Sequence, residues 1–251
     1  MPARKQNIHK GNVLSVDLAA KKYEDNGIAF VSYRGRKISF PSPTDLKLEG
    51  KPLAWEFAQA LDQFCNKENV TVLMIDGPQG WKSPKTKIEH MRLCERVLNT
   101  PGKTGIIGSV KPSTFLRYIT FSINLFHILR VDFDWSLLSE DWFNRPKRRW
   151  IVESFPSSAW RTLGLEKLPG KSKTSPKQLK TWMNDLRMMT NYNFPEKLSH
   201  DQVQATVVLP AGQALVQRKP ARIVLTGMDP IVKRSGDVLE GWIVNPAFPG
   251  V

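Results

Sequence analysis

Apolar positions along the chain recur with two periods, and the switches between them lay out the elements. NVLSVDLA (12–19) is a near-continuous aliphatic run, as expected of a buried strand, and it carries one acid, Asp17. GIAFVSYRGRKISF (27–40) divides at Arg34-Gly35 and predicts a hairpin of two strands. Leu53, Phe57, Ala60, Leu61 and Phe64 fall at helical spacing over 53–66. VTVLMIDGP (70–78) is a second doubly buried strand, stopped by the turn residues Asp76-Gly77-Pro78. Helical spacing returns over 85–98 and 113–130, with the glycine-rich loop PGKTGIIGS (101–109) between them. RRWIVESFP (148–156) is a third short apolar strand, again ended by an acid and a proline. Helices are predicted over 175–189, with Ser175 as cap, and over 199–216, where Pro210 should kink or split the helix. LEGWIVNP (239–246) reads as a closing extended segment, and 141–180, mixing Pro, Gly, Ser and Lys, as an insertion or flexible zone.

Three strands followed by alternating helix and strand predict an α/β fold, a mixed sheet with helices on both faces. At 251 residues the chain suits a single domain, core about 12–246, behind a basic tail at 1–11. It contains no run of 18 apolar residues, which excludes a membrane-spanning helix, and its basic start lacks the apolar segment of a secretory signal. Cys65 and Cys94 alone make no disulfide framework, so reduced thiols and a cytoplasmic location are expected.

Charge changes the picture. Lys and Arg number 37 against 23 Asp and Glu, a formal net charge of +14. Such a surface draws polyanions, of which nucleic acid is the commonest. Set against this exterior, VLSVDLA, VLMIDGP and WIVESFP each place an acid, Asp17, Asp76 and Glu153, within or at the end of an apolar run. A buried carboxylate is costly unless paired or bound to metal. In an open α/β sheet, sites form beyond the carboxyl ends of parallel strands, where these acids would converge with Asp201 at the start of the last helix. Oxygen-only ligands suit Mg2+ or Mn2+, and two such ions support phosphodiester hydrolysis. The plainer reading is that a lone acid at a strand end is a turn or cap residue; Asp76 before Gly-Pro and Asp201 after Ser199-His200 fit it easily, Asp17 between Val16 and Leu18 does not.

Several further residues bear on this chemistry. Arg92 and Arg96, four apart, are candidates to clamp a phosphate. Lys171, Lys173 and Lys177, in an acid-free stretch, and Arg148 and Arg149, beside the third strand, are candidate nucleic-acid contacts. Trp160 and Trp182 are candidates to stack on bases. His200, next to Asp201, is a candidate general base.

In order along the chain, VDLAA (16–20), DGPQGW (76–81), RLCER (92–96), ESFP (153–156), HDQVQA (200–205) and EGWIVNP (240–246) resemble the motifs of domain-of-unknown-function family 429, described as predicted RNase H-like nucleases. The resemblance spans about residues 12–246. It implies a ribonuclease H-like fold: a five-stranded sheet, strands two and three antiparallel, with a site on strands one and four. It also implies that Asp17, Asp76 and Asp201 hold the metal, with Glu153 as a ligand or an orienting group. Gln204 stands where resolvase-like members often carry a second helix acid, which weakens the two-metal expectation. The favoured reading is a metal-dependent nuclease-like hydrolase. Its rivals are a nucleic-acid-binding module whose chemistry has decayed, consistent with Gln204, and a phosphoryl-transfer enzyme acting on a small nucleotide or sugar.

Overall fold

Side chains alternate along each central strand between two separate cores, and this fixes where the helices lie. The computed structural model describes residues 11–145 and 148–247, so the basic start (1–10) lies outside the described residues. The strands are β1 (Asn12–Asp17), β2 (Gly27–Val31), β3 (Ile38–Ser39), β4 (Val70–Asp76), β5 (Lys103–Thr104), β6 (Val110–Lys111), β7 (Ser136–Leu137), β8 (Trp150–Ser154), β9 (Ile223–Val232) and β10 (Val238–Pro246). The helices are α1 (Ala54–Lys67), α2 (Leu93–Leu98), α3 (Leu116–Asp132), α4 (Pro156–Thr162), α5 (Pro176–Thr190), α6 (His200–Val207) and α7 (Leu209–Val216). Val13, Val72, Met74 and Val152 point into one core, closed by α4 to α7. Leu14, Val16, Leu73, Ile75 and Ile151 point into the other, closed by α1 and α3.

The main sheet has the order β3-β2-β1-β4-β8-β10-β9, with β7 also pairing β8. β1, β4 and β8 are parallel, and β2 is antiparallel to both β1 and β3. The mixed sheet with helices on both faces is as expected, but it has eight strands rather than five. The extra width comes mainly from β9 and β10. Gly227 and Pro230 interrupt the apolar pattern of β9, which is why its ten residues carry no strand signal.

Two local expectations fail for identifiable reasons. Of 85–98 only α2 is helical, because the preceding segment wraps the buried Glu240 carboxylate, which accepts from the Ser83 N–H (2.8 Å), the Leu93 N–H (3.0 Å) and the Thr86 hydroxyl (3.4 Å). Nor is 141–180 an excursion: Trp142, Trp160, Leu163, Leu168 and Leu179 are all buried in the first core. The last helix does split, into α6 and α7, with Pro210 in the first turn of α7 where its missing N–H costs nothing. Ser175 caps α5 as expected, and Ser199 caps α6 in the same reciprocal way with Gln202.

α6 begins directly on β2. A Cβ on Gly27 would lie 2.1 Å from the backbone carbonyl of Asp201, so only glycine lets this helix start beside the end of β1. Gly27→Ala is expected to cost about 1–3 kcal/mol, read in urea melts, and to displace the start of α6. An unchanged midpoint would contradict this packing.

Candidate active site

Parallel pairing of β1 with β4 puts Asp17 and Asp76 on the same rung at the carboxyl ends of both strands. Adjacent strands lie about 4.8 Å apart, and both acids share the strand face of Val13, Val72 and Met74. The two carboxyls stand close enough to share a proton. Burial, then Asp76 and Asp201, holds Asp17 well above the usual carboxylate range, and Lys171 only partly offsets this. Asp76 is pushed up to about 7 by burial and by Glu153, against the pull of the bond from Asp17. The two groups therefore behave as one acidic pair sharing a proton.

Asp201, from the first turn of α6, stands near enough to act on Asp17, but its Oδ2 is held by the Lys171 ammonium at 2.6 Å. Lys171 also reaches Asp25 at 3.3 Å. Burial alone would raise Asp201, yet His200 and Lys171 hold it below the usual range. His200 contributes by orientation rather than as a free base. Its Nε2 lies 2.8 Å from the Pro169 carbonyl, which can only accept, so that nitrogen carries a proton; Nδ1 faces Asp201 at 3.5 Å and favours the ionised carboxylate only when it is protonated too.

Glu153 departs from the expected convergence. It pairs with Ile75, one rung before Asp76, so the pleat turns its side chain to the opposite face of the sheet. There Arg92 donates to both its oxygens at 2.7 Å, and the Gln79 N–H adds a third bond at 2.9 Å. Arg92 is not a surface phosphate clamp either: it is 1% exposed, and its Nε donates to Glu95 at 3.0 Å. Glu95 in turn accepts from the Thr104 N–H (2.9 Å) and hydroxyl (2.8 Å). This closed ionic network ties α2 to β8 and to the turn after Asp76.

The other candidates divide between surface and scaffold. Arg96, Arg148, Lys173 and Lys177 are exposed. Arg149 pairs with Asp62 at 2.7 Å and stacks on Trp135, preceding β8 at the end of the strand away from the acids. Trp160 is fully buried and donates its indole N–H to Gln204 at 2.7 Å, which commits Gln204 to the fold, while Trp182 donates to the Glu166 carbonyl. Among the described residues no group of three or more His, Cys, Asp or Glu side chains is arranged to hold a metal ion. The acids near the site comprise one close pair and a third carboxylate neutralised by lysine.

Gln79, Glu95, Glu240 and Tyr118 surround the site without any spacing in the sequence that assigns them to it. Tyr118, on α3, donates to the Asp76 carbonyl at 2.7 Å, and Ser122 donates to that of Pro78 at 3.0 Å, so α3 braces the turn. Gly77 has φ of +152°, and a Cβ there would meet the Ser122 hydroxyl at 2.5 Å. A polar group in α3 facing the Asp-Gly-Pro turn was the available signal, but it needed the packing to be read. A cavity of about 410 Å3 opens beside Asp76 between α3, the start of α4 and the Arg92 network.

Comparison with known protein families, curated proteins and solved structures finds no match for this chain.

The two carboxylate environments predict opposite responses. Because the folded pKa of Asp76 lies above its ordinary 3.8, the folded state holds a proton that the unfolded chain has lost. The pair's contribution to stability without added metal is therefore fully present below about pH 4 and is lost as pH rises toward about 7. Asp17→Asn should stabilise the protein at pH 8 by on the order of 1–3 kcal/mol. Glu153→Gln, which leaves Arg92 buried and under-paired, should destabilise it by about 3–5 kcal/mol. Urea melts at pH 5 and pH 8 check both; loss of stability in Asp17→Asn would refute the shared-proton pair.

Proposed function

We propose that the protein is a metal-dependent hydrolase of nucleic-acid phosphodiesters, with Asp17 and Asp76 as the carboxylates that hold the cation. The observation that carries this reading is the same-rung, same-face placement of two acids at the carboxyl ends of adjacent parallel strands in a chain of charge +14. The hairpin beside β1 and the acids on strands one and four agree with the ribonuclease H-like arrangement that the resemblance implies, and β7, β9 and β10 are additions to it.

The donor set fits a hard divalent ion, since two carboxylates that must otherwise share a proton are relieved by bound positive charge. It fits one ion better than two, because Glu153 is saturated by Arg92 and Gln204 by Trp160. Mg2+ or Mn2+ would supply Lewis-acid polarisation of the phosphodiester and activation of a water. Asp17 and Asp76 would give up the shared proton on binding it. Lys171 now neutralises Asp201; moving off that carboxylate, its ammonium is available to a phosphate oxygen, with exposed Lys173 and Lys177 close in sequence. His200, anchored on Pro169, flanks the Asp201 carboxylate. Hydrolysis adds water at phosphorus, breaks the ester P–O bond and returns a proton to the leaving oxygen.

The test is cleavage of labelled single- and double-stranded DNA and RNA with Mn2+. Wild type should cut at least one of these, and Asp17→Asn and Asp76→Asn should each lower the rate about 100-fold or more. Equal rates in all three proteins would remove these acids from the chemistry. Salt-sensitive binding without cleavage by wild type would favour the binding-module reading instead. Lys171→Ala should tighten Mn2+ binding several-fold, measured by the loss of free-ion electron paramagnetic resonance signal, because Asp201 is no longer neutralised; unchanged affinity would exclude Asp201 from the ion's surroundings.

A further inference from the structure

At the end of β1 away from the acids, a groove gathers positive charge. The turn between β2 and β3 reaches past Asn12, whose side chain accepts from the Tyr33 N–H at 2.9 Å, while Asp17 ends the same strand about 17 Å away. This turn, the end of α5 and the segment after α7 enclose a cavity of about 520 Å3. Arg34, Arg36, Lys219 and Arg222 line it, all four exposed, and no Asp or Glu does. Among the described residues none of the four side chains makes an ion pair or a hydrogen bond; Arg34 only lies over the Tyr33 ring, 5.2 Å from its centre. Arg92 and Arg149, by contrast, are spent on carboxylates, and Arg187 and Arg218 on backbone carbonyls.

The C-termini of α5 and α7 lie at the groove, and each attracts cations with about half a negative charge. They do not absorb these four, whose formal charge exceeds the roughly one unit that two helix ends supply. Their last carbonyls are also taken: the Asn191 N–H bonds that of Arg187 at 2.8 Å, and the Gln217, Arg218 and Lys219 N–H groups bond those of Gln213 (2.9 Å), Leu215 (3.0 Å) and Ala214 (2.9 Å). The carbonyls of the turn, which would repel an anion, are occupied as well. The Gln213 amide donates to those of Ser32 (2.9 Å) and Gly35 (3.0 Å), the Gln217 amide to that of Tyr33 (2.9 Å), and the Asn193 N–H to that of Arg36 (2.7 Å). Gln213 is oriented in turn by the Tyr192 hydroxyl, which donates to its Oε1 at 2.7 Å. Arg34 and Arg36 therefore stand on a base pinned to α7 and to the exit of α5.

We propose that this groove is a phosphate-binding site for a nucleic-acid strand, engaging a phosphodiester remote from the one at Asp17 and Asp76. Arginine forks pair two oxygens of one phosphate, and a concave cationic site without acids concentrates such charge. A strand carries a phosphate about every 3.4 Å, dense enough to meet several of these cations at once. A membrane surface needs an apolar anchor, and the lining offers only Met189 besides its two tyrosines. The site deepens the nuclease reading and rests on it for the choice of a strand among phosphate-bearing ligands.

The test titrates the full-length protein, without metal, with a hydroxyl-ended single-stranded oligonucleotide, pyrophosphate, poly-glutamate and phosphatidylserine vesicles. The amide resonances of Gly35 and Asn191, both in the lining, report occupancy, and fluorescence anisotropy reports affinity. Saturable shifts with the oligonucleotide, with or without shifts from pyrophosphate, support the site. Arg36→Ala/Arg222→Ala should weaken oligonucleotide binding about tenfold or more at ~0.1 M salt and lower the slope of log K against log salt by about 1.4, with circular dichroism unchanged. Lys47→Ala/Lys51→Ala, which removes the same charge from exposed positions outside the groove, should leave both nearly unchanged. Equal losses in the two double variants, undiminished binding by the groove variant, or silent Gly35 and Asn191 resonances would each overturn the proposal. Shifts with pyrophosphate alone would make the ligand a free oligophosphate and end the strand assignment. Shifts as large with poly-glutamate or vesicles as with the oligonucleotide would end it too. The two readings fail separately. Groove-dependent binding by a wild type that cuts no nucleic acid in Mn2+ keeps the site and ends the nuclease reading; metal-dependent cutting that the groove variant retains, with both resonances silent, does the reverse.

Discussion

Two carboxylates share one rung of a parallel sheet, and they cannot both ionise comfortably there. The backbone leaves no choice: β1 and β4 pair in register from Val13 to Asp17, and each strand ends on its acid. Residues around the pair hold it in place rather than relieve it. Gly27 admits the start of α6, which brings Asp201 close; Tyr118 and Ser122 fix the turn beyond Asp76. Lys171 neutralises the third acid but not the first two. A fold selected for stability alone would replace one of the pair with an amide or an apolar residue, as natural proteins usually do outside functional sites.

The contrast with Glu153 sharpens this. It is more deeply placed, buried where Asp17 and Asp76 are half-buried, and equally flanked by apolar neighbours, yet a bidentate arginine and a backbone N–H satisfy it completely. Glu240 is likewise satisfied, by two backbone N–H groups and a hydroxyl. These buried acids serve the architecture: they lock α2, the turn after Asp76 and β10 together behind the site. Their network also forms one wall of the cavity, so the same ion pair that removes Glu153 from chemistry gives that wall its rigidity and its lack of free charge.

Much of the frame was legible in the sequence. β1, β4 and β8 read as aliphatic runs, α1 and α5 as amphipathic periods, and Pro210 correctly divided the last helix. β9 was hidden because Gly227 and Pro230 break its alternation, and 85–92 because the chain there turns about Glu240, which takes the N–H groups of Ser83 and Leu93 on either side. Within the site, Asp17 and Asp76 were found because an acid within an aliphatic strand needs a reason. Glu153 looked the same in one dimension. Its exclusion depends on a register offset of one rung between β4 and β8, and that offset is a property of the paired strands rather than of either alone. Arg92 likewise read as a surface cation because its partner lies 61 residues away.

Anomalous diffraction from crystals soaked in Mn2+ at pH 8 addresses the carboxylate pair most directly. A single strong peak within coordination distance of oxygens from both Asp17 and Asp76, with the Arg92–Glu153 bond intact, is the predicted result. No peak there, or an ion bound by Glu153 with Arg92 displaced, would contradict it.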